Sequence, residues 1–114
     1  MLIVEAQQTV SGVYLSMKSL SEINSVLQQH LDHLKKEFHV AEIGIFGSSV
    51  RGEQESESDI DILVAFSRPV DFFLFMQLEA HLSRLLEANI DLVSRKALKP
   101  QIGRRILEEV QYVS

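Results

Sequence analysis

No cysteine occurs among the 114 residues, which excludes disulfides and thiolate metal sites. No apolar run reaches the length of a membrane span. The apolar start at residues 1–4 is broken by Glu5, Gln7 and Gln8 with no basic stretch before it, so no secretory leader is expected and the cytoplasm is the expected compartment. Basic charge is in deficit: 11 Lys and Arg against 16 Asp and Glu leave a formal charge of −5. Affinity for long nucleic acid comes largely from cations that neutralise phosphates, so tight, sequence-independent binding of that kind is not expected. Other phosphate and nucleophile signatures are also missing. There is no Gly-Lys-Ser/Thr and no G-x-G-x-x-G, and Ser48 lacks the flanks of a nucleophile elbow. Without repeats, low-complexity tracts or linkers, the sequence reads as one compact domain.

What is present centres on two stretches. Glu42-Ile43-Gly44-Ile45-Phe46 is a short apolar run that ends in Gly47-Ser48-Ser49-Val50-Arg51-Gly52, which reads as a buried strand turning sharply where the backbone must stay uncluttered. A short helix from Ser48 would leave its first amides without intrahelical partners, facing whatever lies beyond the strand. Ten residues after Gly47-Ser48 comes Asp59-Ile60-Asp61-Ile62-Leu63-Val64. Alternation along a strand sends Asp59 and Asp61 to one face and Ile60 and Ile62 to the other. Paired carboxylates repel unless a cation lies between them, and hard oxygen donors beside phosphates suit magnesium. Gly-Ser turns and Asp pairs are each common in loops. Their joint spacing should arise by chance in roughly one chain of this size in a thousand. A third carboxylate, Asp91, lies in the apolar run Ile90-Asp91-Leu92-Val93.

Gly47-Ser48, ten residues, Asp59-x-Asp61 and a later Asp91 together resemble the catalytic signature of the DNA polymerase beta-like nucleotidyltransferase superfamily. Within it, the size and the flanking residues are similar to the minimal nucleotidyltransferases, the MNT or MntA-like antitoxins that accompany HEPN-domain toxins. The resemblance covers about residues 17 to 113, including Ser58 and Ala97-Leu98-Lys99-Pro100. It implies that Asp59 and Asp61 hold two magnesium ions, with Asp91 completing the one that acidifies the acceptor hydroxyl. It also implies that Gly47 and Ser48 bind the β- and γ-phosphates of ATP, with Ser58 part of the nucleotide site. Arg51 either contacts phosphate or braces the turn. The implied reaction moves AMP from ATP to a tyrosine hydroxyl on a HEPN toxin, the chain being the antitoxin in a hetero-oligomer or acting as a homo-oligomer. Two rival readings stand beside it: neutralisation of the partner by contact alone, and nucleotidylation of a small molecule or RNA end.

Residues 1–16 precede the family's usual start and are read as an N-terminal extension to a domain at 17–114, with Met17 a candidate initiator. Ser19-x-x-Glu22 resembles a capping box opening one long helix, whose inward face is Ile23, Val26, Leu27, Leu31, Leu34 and Phe38. His30 and His33 are read as surface or packing residues, because no Cys or acidic partner completes a metal site. Asp71 is expected to cap a helix with Phe75, Leu78, Leu82, Leu85 and Leu86 as its stripe, Phe72 and Phe73 serving core or interface. Asn89 is expected to close it. Pro100 suits the first turn of a final helix, with Ile102, Ile106, Leu107 and Val110 inward, followed by an edge strand at Gln111-Tyr112-Val113. The expected fold class is α/β (α+β): a small mixed sheet with helices mainly on one face.

Overall fold

In the computed structural model, which describes residues 18–53 and 59–114, helix α1 (Leu20–Gln29) opens on the expected capping box. The Ser19 hydroxyl accepts the Glu22 amide and the Glu22 carboxylate accepts the Ser19 amide, each at 3.1 Å. The single long helix predicted from periodicity is in fact two. His30, at φ −105° and ψ 7°, ends α1, and α2 (Leu31–Phe38) follows directly. The His30 amide is shared among the carbonyls of Val26, Leu27 and Gln28, a tightened last turn that redirects the chain. Ile23, Leu27 and Leu34 remain fully buried across the break. His33 is exposed on α2, its ring 5.3 Å from that of His81 and 6.2 Å from that of Phe38.

The strands are β1 (Val40–Phe46), β2 (Ile60–Phe66), β3 (Ile90–Ser94) and β4 (Gln111–Tyr112), and they lie in the order β3-β2-β1-β4. β1 runs antiparallel to both β2 and β4, whereas β2 and β3 are parallel. A parallel neighbour requires a crossover. Helix α4 (Phe72–Leu86) supplies it, with the Asp71 carboxylate accepting the Leu74 amide at 2.8 Å at its start. Its end corrects the sequence reading: Glu87, not Asn89, takes the left-handed conformation at φ 52°. Asn89 instead offers its carbonyl to the Ile60 amide, 2.9 Å away, where β2 begins.

One face of the sheet is the core face. Ile43 and Ile45 of β1, Ile60, Ile62 and Val64 of β2 and Leu92 of β3 form one cluster with Ile23, Leu27, Leu34, Leu78, Leu82 and Leu86 from α1, α2 and α4. The opposite face carries Phe46, Asp61 and Asp91. Beside it run the four-residue helix α3 (Ser48–Arg51) and the last helix, α5 (Pro100–Glu109). Here too the structure differs from the sequence reading. Ile102 and Leu107 are 60% and 42% exposed, and the buried residue of α5 is Gly103, where a Cβ would stand 3.0 Å from that of Leu98. Close approach of the Leu98 segment, rather than an apolar stripe, therefore seats this helix. Among the described residues, no helix is long and apolar enough to cross a membrane. The fold is the small mixed-sheet α/β architecture that the sequence predicted. The extension at 1–16 lies outside the described residues.

Candidate active site

The site is assembled by strand register. Asp61 of β2 pairs with Asp91 of β3 on one side and with Phe46 of β1 on the other, so two carboxylates thirty residues apart in sequence stand side by side where β1 ends in Gly47. Asp59 lies just before β2 and is exposed, as is Asp91, while Asp61 is half-buried. Burial, the neighbouring charge of Asp91, a hydrogen bond shared with Asp91 and the charge of Asp59 push the Asp61 carboxyl up to about 6, with Arg51 pulling in the other direction. Among the described residues no three His, Cys, Asp or Glu side chains form a ready ligand cage. The pair nonetheless suits a hard cation. Its donors are all oxygen, and two neighbouring carboxylates make an excess of negative charge that a divalent ion relieves.

Gly47 is fixed by two constraints. Its φ of 78° is left-handed territory, and a Cβ there would collide with the Asp61 carboxylate, standing 2.9 Å from its Cγ. From sequence, Gly47 appeared necessary for the approach of phosphate to the backbone. In the structure the group that fills this space is Asp61 itself, so the glycine couples the turn to the carboxylate pair. Ser48 is partly buried at the head of α3, and Ser49, which sequence reading passed over, is buried with its hydroxyl unpaired among the described residues. Ser58 lies outside the described residues.

Arg51 is committed to two carboxylates. Its Nε donates to Glu53 and its Nη1 to Glu109, each at 2.7 Å, and these bonds hold the guanidinium further above its ordinary value. The second oxygen of Glu109 accepts the Gly47 amide at 2.8 Å. Burial alone would raise the Glu109 carboxyl, but the hydrogen bonds from Arg51 and the Gly47 amide outweigh it and hold the group below its usual value. Sequence reading missed Glu109 entirely. It lies 62 residues from Gly47, and its only local signal is an ordinary Glu-Glu at a helix end.

A cavity of about 500 Å³ opens beside these groups, lined by Gly47, Arg51, Asp61, Ile102, Arg105 and Glu109 among others. A larger one, of about 680 Å³, lies under the start of α4 between Phe66, Pro69, Phe72 and Phe75. It is mostly apolar and contains none of the paired carboxylates, so the smaller cavity is the candidate site for phosphate chemistry.

Comparison with known proteins shows the family and the fold. The sequence model of the nucleotidyltransferase domain family matches residues 27–113. The protein adenylyltransferase MntA of Thermococcus cleftensis is 44% identical over 99 residues, which cover 87% of this chain and all of that relative. A solved structure described as a minimal nucleotidyltransferase superposes with a TM-score of 0.70 at 28% identity, covering 82% of this chain and 95% of the other. A chain from the complex of a tri-AMPylated Shewanella oneidensis HEPN toxin with MNT antitoxin matches with a TM-score of 0.57. It is 19% identical, the match covering 78% of this chain and 70% of that one, a likeness of fold alone.

Proposed function

Because this chain belongs to the nucleotidyltransferase domain family and is a nucleotidyltransferase, we propose that it transfers AMP from ATP to a tyrosine hydroxyl of a HEPN-type toxin and so acts as the antitoxin of the pair. The observation that carries this reading is the in-register pairing of Asp61 with Asp91 beside the Gly47 turn. The name of the relative at 44% identity supports adenylyl transfer to protein, and the AMPylated toxin complex that shares the fold supports the choice of partner.

In this reading Gly47, Ser48 and Arg51 bind the β- and γ-phosphates, placing the α-phosphorus toward the carboxylates. Asp59, Asp61 and Asp91 would hold magnesium, which when bound neutralises phosphate charge and lowers the pKa of the acceptor hydroxyl. Exposure of Asp91 leaves that side open to an acceptor brought by another protein. The acceptor oxygen forms a bond to the α-phosphorus, the α–β anhydride bond breaks, pyrophosphate leaves with the electron pair, and the hydroxyl proton passes to solvent. The protein's contribution is mainly position and charge.

One observation favours a second reading, neutralisation by contact. Phe72, Phe73 and Met76 stand exposed along the first turns of α4, a patch suited to a protein surface. The test is incubation of purified chain with labelled ATP, magnesium and the HEPN partner, with peptide mapping of the label. Wild type should label a tyrosine, whereas Asp91→Asn should bind ATP and the toxin yet transfer no AMP and no longer protect cells. Full protection by Asp91→Asn would overturn the enzymatic reading in favour of contact.

A further inference from the structure

The Glu109 carboxylate makes two short hydrogen bonds, to the Gly47 amide and the Arg51 guanidinium. Both donors belong to the six-residue turn that ends β1. One backbone amide and one guanidinium converging on a single anionic group is the donor set of an anion site. Its own helix does not explain the placement of Glu109. It is the last residue of α5, where the helix dipole opposes a carboxylate. It also lines the same cavity as Asp61, adding negative charge where a polyanion would have to enter. The turn does not depend on Glu109 alone for its shape, because Arg51 keeps a second partner in Glu53, and the Gly47 carbonyl accepts the amides of Val50 and Arg51 at 3.1 and 3.2 Å.

We propose that Glu109 is a latch on the nucleotide site: in the free protein its carboxylate occupies the Gly47 amide and the Arg51 guanidinium, the two donors that a nucleotide phosphate takes when it binds. Nucleotide entry displaces it, and the end of α5 loses its tether to the turn. Glu109 thus acts through Gly47 and Arg51 as a positioning residue that sets the concentration of nucleotide at which the site fills. The latch rests on the nucleotide reading of the cleft given above.

The experiment is calorimetric titration of ATP with magnesium into wild type, Glu109→Gln and Glu109→Ala, together with steady-state transfer kinetics. Removal of a partly exposed competing carboxylate is expected to tighten ATP binding roughly fivefold, lowering KM while leaving kcat within about twofold. Glu109→Gln, which keeps the shape and loses the charge, should show most of this gain. Equal or weaker ATP binding by the variants would overturn the latch and make Glu109 a brace. Hydrogen exchange on the wild-type chain gives a second measurement that needs no variant. Protection at residues 106–110 should fall on ATP binding if the latch opens, and unchanged or greater protection would overturn it. A wild-type chain that binds no ATP would remove the nucleotide reading itself, a failure distinct from wild type binding well and the variants binding no tighter.

Discussion

Helices α4 and α5 carry the same kind of sequence pattern and end in opposite relations to the sheet. In α4 the four-residue spacing of Leu78, Leu82 and Leu86 places all three at 0% exposure in the core. In α5 the equally periodic Ile102, Ile106 and Leu107 leave Ile102 and Leu107 exposed, and Ile102 and Ile106 line the cavity that holds Asp61. Helical periodicity identifies a face of a helix but not the surroundings of that face. α4 is a crossover between parallel strands and must lie flat on the sheet. α5 comes after the last parallel strand and connects only to the two-residue edge strand β4, so it can sit beside the opposite face, the one that carries Asp61 and Asp91.

The comparison breaks most sharply under truncation. Leu82→Ala should cost about 2–5 kcal/mol of stability in urea unfolding, the loss of a buried leucine plus its cavity. Transfer activity should be retained at temperatures where the variant remains folded. A loss below about 1 kcal/mol would mean that α4 is not the core helix.

An intermediate effect separates the two faces by pH. The Asp61 carboxyl is raised to about 6 in the folded chain from an ordinary 3.8. Its protonation therefore favours folding, a contribution fully present below about pH 4 and lost as pH rises through 6. In metal-free protein the difference in Tm between Asp61→Asn and wild type should grow in favour of the variant from pH 4 to pH 7.5. Added magnesium should narrow it by stabilising wild type alone. A pH-independent difference would show that the carboxylate pair is not under the strain described. AMP transfer by Asp61→Asn should be lost at every pH tested.

The smallest effect belongs to α5. Ile102→Ala removes an exposed side chain and should change stability by less than about 0.5 kcal/mol, while any effect on nucleotide binding would appear in KM. A stability loss comparable to that of Leu82→Ala would mean that Ile102 is covered in solution.

Much of the fold was legible in the sequence because the signals are local. The capping box at Ser19 and Glu22, the Asp71 cap, Pro100 at the first turn and the span Ile90–Ser94 each depend on residues within a few positions of one another. The break at His30 was not legible, since the apolar spacing continues through it, while α1 packs against α4 and α2 against β1. Nor was the close of α4 at Glu87: Asn89 was the better left-handed residue, but its carbonyl is taken up by β2.

By itself the sequence determined most of the elements, the side of β2 that carries Asp61, and the glycine-serine turn, because strand alternation and turn chemistry are properties of neighbouring residues. Only the tertiary structure decided that Asp61 stands opposite Asp91, that the space above Gly47 belongs to Asp61, and that Glu109 reaches back across 62 residues to hold Gly47 and Arg51. Those facts depend on register and on how α5 seats against the sheet edge. Both are set by burying the core as a whole rather than by any residue's preference for its own conformation.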